Sequence, residues 1–272
     1  MMKQQEDPSL QELLEVAEQA ALAAGTVALQ GFRTALDIQS KGGTDIVTQY
    51  DHAAEDVAIA AVTARFPDHS FLAEESGASA ASTSNLIWMI DPIDGTHNYA
   101  SQLPFWCVSV AVADRTTNVV LAGVVYDPLH GELFSALKGG GATVNGKPIS
   151  VTDKSDVAEA MVAYDIGHNP DIASRMVDLI AWVQPRVAKV RHLGSAALSL
   201  TYVAAGRVDA YYHISLQPWD IAAALLLIEE AGGTITDWHG EPRLSGSGSA
   251  VAAGKLLHPS LLALLRSAAE DA

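Results

Sequence analysis

The segment Trp88-Met89-Ile90-Asp91-Pro92-Ile93-Asp94-Gly95-Thr96-His97-Asn98 concentrates groups that can do chemistry. An apolar run delivers Asp91 to the end of an expected strand, where Pro92 interrupts the ladder. Gly95-Thr96 can then open a helix whose first N–H groups lack intrahelical partners. Carboxylate oxygens are hard ligands suited to Mg²⁺, and helix-start N–H groups favour a phosphate. The same residues also read as a plain turn at Asp94-Gly95 with Asp91 capping the strand, and on this segment alone both readings stand.

Further acidic positions bear on that choice. Glu74-Glu75 closes another expected strand, Asp45 and Asp51 bracket Ile46-Val47-Thr48, and Trp219-Asp220 opens a helix. Adjacent carboxylates repel one another unless they are exposed or bound to cations. Taken singly, Glu75, Asp45 and Asp51 read as helix caps or surface charges. The nine histidines show no His-Glu-x-x-His spacing, and His97 is assigned to local packing or solvent contact. Gly139-Gly140-Gly141 followed by Asn145-Gly146 lacks the Gly-Lys-Ser/Thr ending of a phosphate loop and reads as a tight hairpin.

The elements that must position these groups follow from periodicity. Ser9-Leu10-Gln11-Glu12 is a capping box, after which Leu10, Leu13, Leu14, Ala17, Ala21 and Ala24 recur at helical spacing. Helices are expected at 51–66, 171–182, 195–205, 218–231 and 259–269, with Gly206 and Gly232-Gly233 as stops. Strands are expected at 71–74, 86–90, 107–113, 119–125 and 132–137, as part of an antiparallel or mixed sheet. Ala78 to Ser84 reads as a surface loop. The interleaving indicates an α/β protein of stacked layers, in an N-terminal half over 1–150 that holds most acidic candidates and a C-terminal half over 151–272 that supplies Asp220.

These motifs resemble the inositol monophosphatase-like, lithium-sensitive, metal-dependent phosphatases. The family's Asp-Pro-Ile/Leu-Asp-Gly-Thr-x-Asn-Phe/Tyr is matched at Asp91 through Tyr99, and its Gly/Ala-Glu-Glu at Ala73-Glu74-Glu75. Its Asp-Leu/Ile-Val-Thr-x-x-Asp is matched at Asp45 through Asp51, and its Trp-Asp-x-Ala at Trp219 through Ala222. Order and spacing agree from about Lys41 to Gly233, and four motifs together are highly specific.

The resemblance implies an α/β/α/β/α sandwich, a homodimer, and Mg²⁺ at roughly two to three ions per site. It implies metal ligands at Glu74, Asp91, the Ile93 carbonyl, Asp94 and Asp220, and direct attack on phosphorus by a metal-activated water. Thr96 would orient that water and pass a proton toward Asp51, with Glu74 also counted as catalytic. Gly95 and Thr96 N–H groups would hold the phosphate. Asp94, Gly194, Ser195, Ala196, His213 and Asp220 would face the alcohol portion. His213 departs from the family, where many members carry Glu, and Lys41 stands one residue out of register with a basic family position. Inositol monophosphate is the first substrate implied, with fructose 1,6-bisphosphate, adenosine 3′,5′-bisphosphate and histidinol phosphate as alternatives. Li⁺ inhibition is expected with them. A rival expectation is an idle protein that senses metal or phosphate or regulates a protein partner.

Composition limits the partners. Sixteen basic against thirty-two acidic residues give a net charge of −16, which disfavours nucleic acid and anionic membranes. A phosphate must therefore meet positive charge brought by metal ions. No apolar run is long enough to cross a bilayer and Met1 to Asp7 is too polar for a secretory signal, so a cytoplasmic location is expected. Cys107 is the only cysteine, which excludes an internal disulfide and marks an ordinary buried thiol.

Overall fold

The computed structural model describes residues 8–79 and 84–270; most of the expected loop at 78–84, and the polar stretch 1–7, lie outside the described residues. The chain begins with α1 (Leu10–Gly31), the hairpin β1 (Ile38–Gly42) and β2 (Asp45–Thr48), and α2 (Gln49–Arg65). Ser9 and Glu12 close the expected capping box on α1. Next come β3 (Ser70–Ala73), β4 (Gly77–Ala78), β5 (Leu86–Asp94), the short α3 (Thr96–Ala100), β6 (Cys107–Asp114), β7 (Val120–Asp127), β8 (Glu132–Leu137), β9 (Gly141–Val144) and β10 (Lys147–Pro148). The last part holds β11 (Met161–Tyr164), α4 (Pro170–Val183), β12 (Lys189–His192), α5 (Ala196–Ala204), β13 (Ala210–Leu216), α6 (Pro218–Glu230), β14 (Gly233–Thr236), β15 (Gly248–Gly254) and α7 (His258–Glu270).

An eight-stranded sheet runs β10-β9-β8-β7-β6-β5-β3-β4, antiparallel except where β3 lies parallel to β5. A five-stranded sheet runs β12-β11-β13-β15-β14, with β11 parallel to both β12 and β13. Their central strands are covered on both faces, which is why they read as continuous apolar runs. In β5, Trp88 and Ile90 pack with α1 and α2, while Met89 packs with α5 and α6. The middle helices also cover Tyr211 and Ala252 of the smaller sheet, whose far face holds Tyr212 and Val251 against Met176 of α4 and Leu261 of α7. The result is five layers, α/β/α/β/α, with one apolar cluster spanning both sheets.

Gly139-Gly140 turns β8 into β9, and Asn145-Gly146, both at positive φ, close the β9–β10 hairpin. Gly206 and Gly232 stop α5 and α6 at positive φ, whereas Gly233 already begins β14. Pro92 does not end its ladder as expected. β5 stays paired with β6 through Asp94, because Asp91 faces Ser109 and Asp94 faces Cys107, so one extra residue is absorbed as a β-bulge.

A close contact seats α6 on the larger sheet: a Cβ at Gly123 of β7 would lie 2.9 Å from both Cα and O of Ala223. Gly123→Ala should therefore force helix and sheet apart and lower the unfolding free energy by about 1–3 kcal/mol. Urea denaturation checks this; an unchanged midpoint would mean that α6 is free to retreat.

Candidate active site

Side chains on a regular strand alternate faces, so residues three apart should point oppositely. The bulge at Pro92-Ile93 removes that mismatch. Asp91 and Asp94 both turn to the face shared by Met89 and Cys107, toward α5 and α6. The parallel partner adds a third carboxylate: Ala73 is in register with Ile90, and Glu74 N–H donates to the Ile90 carbonyl, which sets Glu74 beside Asp91. The fourth, Asp220, is the third residue of α6 and accepts the Gln217 N–H at 2.8 Å. Ser109, opposite Asp91, ties this helix to the sheet by donating to the Trp219 carbonyl at 3.0 Å.

All four line one cleft of about 510 Å³. Burial raises the Asp91 carboxyl well above its ordinary range, and Glu74, Asp94 and Asp220 push it further. Burial likewise raises Asp220, helped by Asp94, and raises Glu74 against the pull of Lys41. Buried carboxylates that raise one another in this way form a site that favours added positive charge.

Each acid has a protein partner. Lys41 Nζ binds Glu74 at 3.0 Å and Glu75 at 2.6 Å, which gives this previously unassigned lysine a place at the site. Asp94 accepts from the Ser195 hydroxyl and from the N–H groups of Ala196 at 3.2 Å and Ala197 at 2.8 Å. Thus Ser195 stands at the N-cap of α5 without capping it through its side chain; Asp94, from the other sheet, does so instead. Cys107 is fully buried behind this contact, its Sγ 3.7 Å from Asp94 and 3.8 Å from Ser195.

All-oxygen donors in a buried acidic cleft suit a hard cation such as Mg²⁺ rather than zinc. As the side chains stand, however, no three acidic, histidine or cysteine groups among the described residues form a ready metal-binding cluster. Their oxygens are turned to Lys41, to the start of α5 and to Gln217. An ion held by Glu74 would compete directly with the Lys41 ammonium.

Beside the acids, Gly95 takes φ 98° as the N-cap of α3 and makes no side-chain cap bond. A Cβ there would come within 2.9 Å of the Gly194 carbonyl. Thr96 Oγ1 lies 3.1 Å from both Asp51 Oδ1 and the Ile93 carbonyl. Asp51 is buried and fixed by the Thr48 N–H at 2.8 Å and hydroxyl at 2.6 Å, and burial raises its carboxyl.

Gly194, Ala196 and His213 also line the cleft, as do residues not anticipated from sequence: Asp165, Gly167, His168 and His192. The clue to Asp165 was present, because Met161-Val162-Ala163-Tyr164 ends in an acid just as Ile90 does. Glu55 was also missed; it accepts the N–H groups of Glu75 and Ser76 at 2.8 Å each and so anchors the turn after Glu74. Of the two expected roles, His97 takes local packing: it stacks on His168 with ring centres 5.4 Å apart and lies 2.6 Å from the Thr44 carbonyl.

The inositol monophosphatase family model matches residues 9–270. The chain is 37% identical over 263 residues to Nus factor SuhB of Salmonella typhimurium, covering 96% of this chain and 98% of that protein. It is 37% identical over 257 residues to an inositol-1-monophosphatase of Mesorhizobium japonicum, covering 92% of this chain and 94% of that one. The structure of an inositol monophosphatase from Anabaena superposes with a TM-score of 0.85 at 37% identity, over 95% of this chain and 96% of the other.

The acidic cleft should make metal-free stability depend on pH. Glu75 and Asp165 are raised by burial from ordinary values of 4.5 and 3.8 to about 7. Their contribution is fully present below the unfolded values and is lost as pH rises through about 7. Buried histidines oppose this at lower pH: His213, pushed by burial from 6.5 to about 4, favours folding as pH climbs to 6.5 and contributes no further slope above it. Urea unfolding in chelator should therefore show falling stability from about pH 6.5 to about pH 8, and Mg²⁺ should restore it. Stability that stays level or rises across that interval would contradict this electrostatic account.

Proposed function

Since the chain belongs to the inositol monophosphatase family and is a phosphoric monoester hydrolase, we propose that it hydrolyses a small phosphate monoester, inositol monophosphate first, in a Mg²⁺-dependent reaction. The observation that carries this reading is the meeting of Glu74, Asp91, Asp94 and Asp220 in one buried cleft beside the Thr96–Asp51 pair. Glu74, Asp91, the Ile93 carbonyl, Asp94 and Asp220 are the groups that would hold Mg²⁺. When bound, Mg²⁺ supplies Lewis-acid stabilisation of the phosphoryl and leaving oxygens and lowers the pKa of water.

The protein's own part is positioning and proton handling. Thr96 donates its hydroxyl proton toward Asp51, leaving a lone pair to accept a hydrogen bond from an attacking water. The two Thr48 bonds hold Asp51 in place for that task. Gly95 lacks the Cβ that would strike the Gly194 carbonyl, and backbone N–H groups of Gly95 and Thr96 would hold the phosphoryl oxygens. The wall formed by Gly194, Ala196 and His213 would face the alcohol portion, with Ser195 acting through Asp94. A homodimer and a cytoplasmic setting complete the proposal by family habit; among the described residues no helix is long and apolar enough to cross a membrane.

A second, regulatory role through protein contacts is favoured by the Nus factor name of some relatives. It adds to hydrolysis, because Asp51 and Thr96 are both in place for turnover.

Phosphate release from inositol 1-phosphate, with and without Mg²⁺, tests the reading. Thr96→Val keeps the side chain's shape while removing the hydroxyl, and should lower kcat by roughly a hundredfold while calorimetric Mg²⁺ affinity stays near wild type. No Mg²⁺-dependent release from any small phosphate monoester, or full turnover by Thr96→Val, would sink the proposed chemistry.

A further inference from the structure

α2 buries a stripe of Asp51, Ala54, Glu55, Ala58 and Val62, so two carboxylates sit where a helix ordinarily sends apolar side chains. Asp51 is accounted for by Thr48 and Thr96. Glu55 is only 3% exposed, and among the described residues no cation pairs with it. Taking a carboxylate out of water is costly unless other donors replace its hydrogen bonds.

Those donors lie in the turn that carries Glu74. β3 and β4 form a hairpin in which Ala73 pairs with Gly77, leaving Glu74, Glu75 and Ser76 as its loop. β4 has two residues and stands at the edge of the eight-stranded sheet, so the sheet alone holds this loop weakly. Glu74 N–H donates to the Ile90 carbonyl at 3.1 Å and continues the pairing of β3 with β5. The next two N–H groups, of Glu75 and Ser76, donate to Oε2 and Oε1 of Glu55 at 2.8 Å each. Consecutive N–H groups are thus fixed first by the sheet and then by one carboxylate, through charge-assisted bonds that are stronger than neutral ones.

Helical geometry extends this hold to the rest of the site. Residues four apart on a helix lie one above the other, so Asp51 and Glu55 occupy adjacent turns of one face of α2. Asp51 meets the Thr96 hydroxyl at 3.1 Å, and Glu55 grips the loop of Glu74. One helix therefore sets where the Thr96 hydroxyl stands relative to the Glu74 carboxylate. Lys41 also binds Glu74, but through the side chain that an ion would claim; the bonds of Glu55 go to the backbone and survive that exchange.

We propose that Glu55 is a positioning residue, which preorganises the Glu74–Ser76 turn so that Glu74 meets Mg²⁺ beside Asp91 at a fixed place relative to the Thr96–Asp51 pair. The inference rests on the reading of Glu74 as a metal ligand. It assigns part of the affinity for the ion to a residue that does not touch it, as outer partners of metal-binding carboxylates do.

Calorimetric Mg²⁺ titration of wild type, Glu55→Gln, Glu74→Gln and the double variant tests this. Glutamine keeps the shape but offers a single acceptor oxygen, and its amide group meets the other N–H donor against donor. Glu55→Gln should weaken Mg²⁺ binding by roughly 10- to 100-fold. In the Glu74→Gln background the same change should have little further effect, because the two residues act through one interaction. At saturating Mg²⁺, kcat should stay within roughly threefold of wild type, since the loss is one of binding. Val62→Ala, a buried change further along the same stripe, should lower stability and leave Mg²⁺ affinity unchanged, which separates positioning from a general loosening of α2. In metal-free wild type, amide hydrogen exchange at Glu75 and Ser76 should be slow, a measurement that needs no variant to fold. Unchanged Mg²⁺ affinity in Glu55→Gln, equal losses in both backgrounds, a comparable loss in Val62→Ala, or exchange at Glu75 and Ser76 as fast as in an unstructured peptide would overturn the role of Glu55. Full Mg²⁺ affinity in Glu74→Gln would instead reject Glu74 as a ligand, and this inference with it.

Discussion

The mutual repulsion of carboxylates buried at the floor of one cleft governs this structure. Asp91 is fully enclosed, and Glu74, Asp94 and Asp220 each make its ionised form less favourable. Such a cluster is tolerable only if cations or hydrogen-bond donors offset it. The fold supplies donors from every direction: the Lys41 ammonium, the first turn of α5 and the N–H before α6. The helix starts are apt partners, since their dipoles and orphan N–H groups favour negative charge. Asp94 consequently joins the larger sheet to α5 as well as facing the cleft, so its replacement would disturb α5 along with any bound ion.

Much of this was legible in the sequence because local rules and tertiary context agreed. Val108, Val110 and Val112 pack on one side of β6 while Cys107, Ala111 and Ala113 pack on the other, and the run reads as a buried strand for that reason. The bulge was not legible. Pro92 signals an interruption, but only pairing with Ser109 and Cys107 decides that the strand absorbs an extra residue instead of ending. Likewise Lys41 and Asp165 approach the cleft through contacts 33 and 29 residues distant along the chain, to Glu74 and Gly194 respectively, which no local pattern encodes. The hydroxyl of Ser195, at the start of its own helix, serves an acid from β5, a contact that no local pattern encodes.

The acidic composition acquires a physical meaning in this light. A net charge of −16 would ordinarily repel a phosphate dianion. Two to three divalent ions would reverse the sign where it matters while leaving the rest of the surface well solvated. On the proposed reading the alcohol side would need no such reversal: the imidazoles of His168, His192 and His213 are all held below the usual histidine range by burial and would offer neutral hydrogen bonds. On the proposed reading, the strand ends that would hold the metal ions and the imidazoles that would face the alcohol lie on different sides of one cleft.

Diffraction from crystals soaked in Mn²⁺ tests the central claim most directly, because Mn²⁺ prefers the same oxygen ligands as Mg²⁺ and can be located by its anomalous scattering. The account predicts roughly two to three peaks within bonding distance of Glu74, Asp91, Asp94 and Asp220, with Lys41 released from Glu74. A cleft with no anomalous density at saturating Mn²⁺, its Lys41–Glu74 bridge intact, would contradict it.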